Sequence, residues 1–234
     1  MSIRHILILA ACAVFHAGPA SAQPASTRNT TLDMQAIATG LGVTCEYCHG
    51  QRGSAAVLTA TGKPRLEIAR AMIEMTTDLN TRVQAASGKT APETVRVECV
   101  TCHRGVAIPR QLGDIMLQMT VQQGIDAATA LYRDLRTRYY GRQSYDFGEE
   151  TLLAVAERLI QARPAAAIGL IDLNLEFNPR SARSYFVKGT AQSRQLDNEG
   201  ALASFRKSLD LDPDNGVTQG WLIQMEQLVN RRRR

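Results

Sequence analysis

Histidine is scarce in this chain of 234 residues, which contains four: His5, His16, His49 and His103. The first two lie in an N-terminal segment with the features of a cleaved leader, so the mature protein is expected to keep two. Both of these directly follow a pair of cysteines. No free histidine is then left for a Ser-His-Asp triad or for peroxide chemistry, and an iron held by two histidines of this chain is excluded.

Long hydrophobic runs are also lacking. The one apolar run near the N-terminus, residues 6–15, is too short to cross a bilayer. It follows Arg4 and precedes an Ala-Ser-Ala cleavage pattern at 20–22, which is typical of a secretory signal. We expect a signal peptide over residues 1–22, cleavage between Ala22 and Gln23, and a periplasmic or otherwise exported protein. A lipoprotein reading of Cys12 would leave too few apolar residues before the cut.

Cysteine is the next informative residue, because four of the five cysteines occur in two short motifs. Residues 45–49 read Cys-Glu-Tyr-Cys-His and residues 99–103 read Cys-Val-Thr-Cys-His. In the C-x-x-C-H pattern two thiols bond to the vinyl groups of a haem and the histidine binds its iron. We therefore predict two covalently bound haem c groups. The predicted thioether residues are Cys45, Cys48, Cys99 and Cys102, and the predicted proximal iron ligands are His49 and His103.

Two other interpretations of these cysteines remain open. A single zinc site could use both cysteine pairs, but it would leave the two adjacent histidines unexplained. Two disulfides are compatible with an exported protein, although a bridge within C-x-x-C stabilises little structure.

A methionine commonly ligates the second face of haem iron in cytochromes of this kind. Met34 lies on a predicted amphipathic helix that ends at Gly40 and Gly42, directly before the first motif. Residues 64–84 form a second predicted helix, and both Met72 and Met75 lie on its apolar face. The helical period does not show whether Met72 or Met75 is the iron ligand. The other methionines after the leader are Met116, Met119 and Met225.

Three stretches of the sequence resemble one half of the cytochrome c subunit of photosynthetic reaction centres, a tetrahaem protein built from two dihaem halves. They read Met-x-x-Ile-x-x-x-Leu-Gly-x-x-Cys-x-x-Cys-His at 34–49, Ala-Arg-x-Met-x-x-Met at 69–75 and Cys-x-Thr-Cys-His-Arg-Gly at 99–105. The resemblance implies that Met34 and Met72 are the distal ligands, Met34 opposite His49 and Met72 opposite His103. Only one dihaem half is present, and the family's histidine that reaches another haem has no counterpart.

From residue 111 onward cysteine and histidine are absent, and a period of 34 residues appears. Asn-Pro at 178–179 recurs as Asp-Pro at 212–213, and Ala167 recurs as Ala201. This segment resembles tetratricopeptide (TPR) repeats over residues 148–213, with Gly189 where two helices cross and Phe205 as a large apolar residue. We predict two helical hairpins flanked by helices at 125–139 and 216–229.

Together these features predict an all-α protein. It comprises a dihaem cytochrome c domain at 23–112, a linker at 113–124 and a TPR-like helical array at 125–234. The predicted function is single-electron transfer between redox protein partners, not enzymatic catalysis. The array would serve docking to a membrane complex or self-assembly. A formal charge of +5 is mild and gives no reason to expect nucleic acid. The alternatives are an electron donor subunit of a photosynthetic reaction centre and a dihaem peroxidase-type enzyme.

Overall fold

The computed structural model describes residues 30–51, 55–58, 62–90 and 93–232, so the predicted signal peptide lies outside the described residues. Regular structure in this part is helical, with one isolated β-bridge between Leu58 and Pro64. The all-α prediction is confirmed for the described residues. In chain order the helices are α1 (Thr30–Leu41), α2 (Glu46–His49), α3 (Arg65–Ser87), α4 (Cys99–His103), α5 (Leu112–Gln123), α6 (Ile125–Tyr139), α7 (Glu149–Leu159), α8 (Pro164–Phe177), α9 (Ala182–Arg194), α10 (Asn198–Leu211) and α11 (Gly216–Arg232).

The two cysteine motifs form the short helices α2 and α4, which come before and after the long helix α3 in the sequence. Pro64 precedes α3 with a φ of −59°, which is close to the value that its ring imposes and that a helix start accepts. Gly88 ends the helix in the left-handed region with a φ of 63°. The sequence pattern placed the end of this helix near Gln84, and the structure extends it to Ser87.

The N-terminal half has almost no buried residues of its own. Among the described side chains before Leu112, no apolar one is buried, and Gly40 is the one buried residue of that stretch. From Leu112 onward a continuous core forms, and it includes completely buried residues such as Met116 and Tyr132. The two halves are therefore stabilised differently.

Residues 113–124, predicted to be a linker, lie almost entirely in α5. The Met116 and Thr120 side chains of this helix are buried, and the helix packs against α6 and α7. Gly113 faces α7, with 3.6 Å between the place of a Cβ and Val155 Cγ2. The apolar stripe of α5 is short and is interrupted by glycine and glutamine, which is why its sequence pattern is weak. The domain boundary itself stays a prediction.

Helices α7 to α10 follow the predicted 34-residue period. Helices α8 and α10 begin at Pro164 and Asn198 and end at Phe177 and Leu211, so both their starts and their ends are separated by that period. Helix α7 packs against α8 and α9 against α10, as expected for two helical hairpins. The predicted flanking helices are present as α6 and α11. Assignment to the TPR family stays a prediction.

Gly189 allows the second hairpin to close. A Cβ on Gly189 would lie 2.7 Å from Cε1 of the Phe205 ring. That ring is completely buried and packs against Phe186 and Trp221, with 5.8 Å between ring centroids in each pair. A side chain at residue 189 would therefore displace a ring that has no open space to enter.

We predict that Gly189→Ala lowers the free energy of unfolding by about 1–3 kcal/mol, because the added methyl group overpacks the buried ring. Gly220→Ala in α11 is the matched control. No atom lies within 4 Å of its added Cβ, and replacing a helical glycine with alanine stabilises by about 0.5–1 kcal/mol. Urea denaturation followed by circular dichroism measures both. Equal effects of the two substitutions would contradict the proposed contact.

Candidate haem sites

The first motif contributes to a cavity of about 250 Å³ formed by α1, the first motif and the start of α3. Cys45, Cys48 and His49 line one part of it, and Met34 of α1 lines another. The sequence-predicted residues of the first site thus share one cavity. The remaining wall is mostly apolar, with Ile37, Ala38, Leu41, Val43, Leu66, Ala69 and Ile73.

A second cavity, of about 280 Å³, contains the histidine of the second motif. Cys99 and His103 line it together with Met72 of α3. Met75 is not among its lining residues. Cys102 lies outside this lining and faces an adjoining cleft. The structure thus brings three of the four predicted residues of the second site into one cavity.

Burial narrows the choice of methionine ligands. Met116 and Met225 are completely or almost completely buried in the C-terminal core, and Met119 packs against that core. Met34 and Met72, by contrast, are each 43% exposed and lie on cavity walls. Of the two α3 methionines that the helical period left undecided, Met72 lines the second cavity and Met75 does not.

The two cavities are neighbours with a common wall. Ile37 and Leu41 of α1, Ala69 and Ile73 of α3, and Cys48 line both of them. One layer of small and apolar side chains therefore separates the two cavities.

The ring of His103 is held by a backbone carbonyl. Its Nδ1 atom lies 3.0 Å from the carbonyl oxygen of Val106. A carbonyl oxygen only accepts a hydrogen bond, so Nδ1 carries the proton and donates it. Nε2 is then left with a free lone pair, and such hydrogen bonds fix the orientation of a metal-ligating imidazole.

The cysteine thiols differ in exposure. Burial raises the pKa of the Cys48 and Cys99 thiols, and the nearby Arg65 guanidinium opposes this effect at Cys48. Cys45 and Cys102 are exposed. None of the four is joined to another in a disulfide. Within the described residues no three Cys, His, Asp or Glu side chains are grouped to hold a metal ion.

Two arginines that the sequence analysis did not single out line the cavities. Arg65 lines the second cavity, where its guanidinium lies 4.1 Å from the centre of the Tyr47 ring and donates to the Tyr47 carbonyl at 3.2 Å. Arg70 lines the first cavity. Both arginines lie on α3, and each can neutralise a carboxylate of a ligand bound in its cavity.

The end of α1 packs directly on the second motif through glycines. A Cβ on Gly40 would lie 2.9 Å from the Val100 nitrogen, and one on Gly42 would lie 2.1 Å from the Gly105 carbonyl oxygen. The Gly105 N–H donates to the Gly40 carbonyl at 2.8 Å. The sequence pattern explains these glycines as helix terminators. In the structure they also hold the helix that carries Met34 against the second cysteine motif.

One protein family matches this sequence. The family described as photosynthetic reaction centre cytochrome C subunit matches residues 33–131, which is less than half of the chain. The match extends past residue 112 and through α5 into α6. No curated protein is significantly similar to this chain. Among the described residues, no helix combines the length and the hydropathy needed to cross a bilayer.

The similarity to a cytochrome c family implies covalently bound haem c, and the donor atoms of the cavities fit that cofactor. The first cavity offers two thiols, an imidazole and a thioether sulfur against an apolar wall. The second offers one thiol, an imidazole and a thioether sulfur, and the remaining thiol of its motif lies at its edge. Thiols for attachment with histidine and methionine for iron are the donor set of c-type cytochromes.

We predict that Gly42→Ala destabilises the N-terminal half by more than backbone strain alone. A left-handed conformation costs a non-glycine residue about 1–2 kcal/mol, and displacing the Gly105 carbonyl adds about 1–3 kcal/mol. Gly88→Ala is the control, because its φ of 63° is close to the 66° of Gly42 but no atom lies within 4 Å of its Cβ. Guanidinium denaturation followed through haem absorbance measures both. Equal losses would contradict the close approach of α1 and the second motif.

Proposed function

We propose that this chain is an exported dihaem c-type cytochrome that transfers single electrons between redox protein partners. The observation that carries this proposal is the pairing of ligand types in the two cavities. Met34 and His49 both line the first cavity, and Met72 and His103 both line the second. Each pair matches the histidine and methionine ligation of an electron-transfer haem.

The haem iron would supply reversible one-electron chemistry, and the protein residues would set the conditions for it. An iron held by both a histidine and a methionine would have no position left for a substrate. This favours an electron carrier over the peroxidase-type alternative, which needs one open or displaceable position. The match to a cytochrome subunit family also favours electron transfer.

The residues around the cavities have separable roles in this proposal. The thiols Cys45, Cys48, Cys99 and Cys102 tether the two groups. The apolar walls exclude water, which together with methionine ligation favours a higher reduction potential. Arg65 and Arg70 bring positive charge to the cavity walls and oppose the negative charge of haem propionates. The common wall of Ile37, Leu41, Ala69 and Ile73 keeps the two sites adjacent.

The remaining predictions belong to the same proposal. A signal peptide at 1–22 would export the chain, residues 23–112 would hold the haems, and the TPR-like array at 125–234 would dock a partner or assemble copies of the protein. A second candidate function is electron donation to a photosynthetic reaction centre, which the description of the matching family favours.

Absorption spectra of the purified protein in both oxidation states test the proposal. We expect low-spin iron at both sites and, in the oxidised form, the far-red sulfur-to-iron band of methionine ligation. A high-spin component that readily binds carbon monoxide would contradict the carrier and support an enzyme with an open iron position.

The ligand assignment leads to a matched pair of variants. We predict that Met72→Ala removes about half of the far-red band, because one of two irons loses its sulfur ligand. Met75→Ala should leave the band unchanged, since Met75 lies on the same helix with similar exposure, 48%, but does not line the cavity. Met34→Ala should remove the other half. If Met75→Ala removes the band and Met72→Ala does not, the assignment at the second site is wrong.

A further inference from the structure

A third cavity lies between the second cysteine motif and the C-terminal helical array. Its volume of about 650 Å³ exceeds that of either haem cavity. Cys102 and Arg104 line it on the side of the motif, and Thr151 and Val155 of α7 line the opposite side. The Ser144 hydroxyl donates to the Arg104 carbonyl at 2.6 Å, which ties the loop after α6 to the motif.

Three exposed arginines from three separate segments line this cleft. They are Arg104 after the motif, Arg110 before α5 and Arg158 in the last turn of α7. In the described part of the chain none of them forms an ion pair with a carboxylate, and Arg110 donates to the neutral Gln118 side chain at 2.7 Å. Their guanidinium groups can therefore pair with an anion without first breaking an ion pair of the described chain.

Two carboxylates also line the cleft, and both have stabilising surroundings of their own. Asp146 Oδ1 accepts a hydrogen bond from the Gly148 N–H at 2.8 Å. Asp114 lies in the first turn of α5, where the helix dipole favours a negative charge. The cleft is thus lined by three arginines without an ion pair and by two aspartates. Each aspartate is stabilised by backbone groups of its own segment.

The size and the chemistry of the cleft together indicate a class of ligand. Binding sites for small molecules typically measure about 300–1,000 Å³. Arginine presents a planar set of donors that matches carboxylate and phosphate groups. Pro109, Tyr145 and Ala154, which are exposed or half-buried, add apolar and aromatic surface for the body of an organic molecule.

We propose that this cleft binds a small anion that carries several carboxylate or phosphate oxygens, with Arg104, Arg110 and Arg158 as its ligands. The cleft adjoins the second haem cavity, because Pro109 lines both of them and Cys102 of the second motif lines the cleft. An anion bound beside Cys102 lies next to the second haem site. It therefore stabilises the more positive oxidised state and lowers the reduction potential of that site. By thermodynamic reciprocity the oxidised protein binds the anion more tightly.

Isothermal titration calorimetry of the haem-loaded protein tests the site directly. The probes are inorganic phosphate and tricarballylate, with the neutral trimethyl ester of tricarballylate as a shape control. We expect saturable binding of at least one anion and none of the ester. Arg158→Gln should weaken this binding about tenfold or more, because it removes one charge-assisted contact. Arg158→Lys should recover part of the affinity.

Arg194→Gln is the matched control, because Arg194 is an exposed arginine of α9 outside the cleft and the substitution removes the same charge. It should leave anion affinity unchanged. Phosphate binding alone identifies an inorganic anion, whereas tighter tricarballylate binding identifies an organic one, and both outcomes support the site. Absence of saturable binding, or equal weakening by Arg158→Gln and Arg194→Gln, would overturn the proposal.

A redox titration with and without the probe supplies a second readout. The potential of one haem should fall on anion binding in the wild-type protein and in Arg194→Gln, with a smaller fall in Arg158→Gln. The calorimetric result does not depend on the haem count, so failure of the anion site and failure of the proposed electron carrier are distinguishable. Binding without any shift in potential would overturn the coupling to the second haem site.

Discussion

The N-terminal half of the described chain arranges its apolar side chains around two adjoining cavities instead of packing them against one another. No described apolar side chain before Leu112 is buried. The sites therefore depend on three contacts that position α1, α3 and the motifs. These are the glycine approach of α1 to the second motif, the Arg65 stack on Tyr47, and the common wall. In this arrangement bound haem would supply most of the hydrophobic contacts that a core usually provides.

The C-terminal half has the opposite character, with a continuous core that begins at Leu112 and includes α5 to α9. It meets the N-terminal half at the second motif, where Ser144 binds the Arg104 carbonyl and α5 follows directly after the motif. A well-packed helical array can in this way support a haem site that has little packing of its own. The same junction creates the arginine-lined cleft beside the second cysteine motif.

Sequence patterns predicted much of this structure because the informative residues are chemically specific. The C-x-x-C-H pattern predicted which cysteines and histidines lie together, and the structure places those of each motif at or next to a cavity. The 34-residue period predicted the helical hairpins, and their helices recur at that distance in the structure. The weak pattern of α5 concealed a helix, since Gly113 and several glutamines interrupt its apolar stripe. Contacts between distant segments left no sequence signal. The approach of Gly42 to Gly105 depends on how the chain folds back on itself. The same folding brings Arg104, Arg110 and Arg158 into the lining of one cleft.

The central claim of this account is that two haem groups are covalently attached, one at each cysteine motif. The intact mass of the purified chain, measured under denaturing conditions that release any non-covalent cofactor, tests it most directly. We predict a mass equal to that of the polypeptide plus two haem groups. For the double variant Cys99→Ala and Cys102→Ala we predict the mass of its polypeptide plus one haem group. A wild-type chain that carries one haem or none would contradict it.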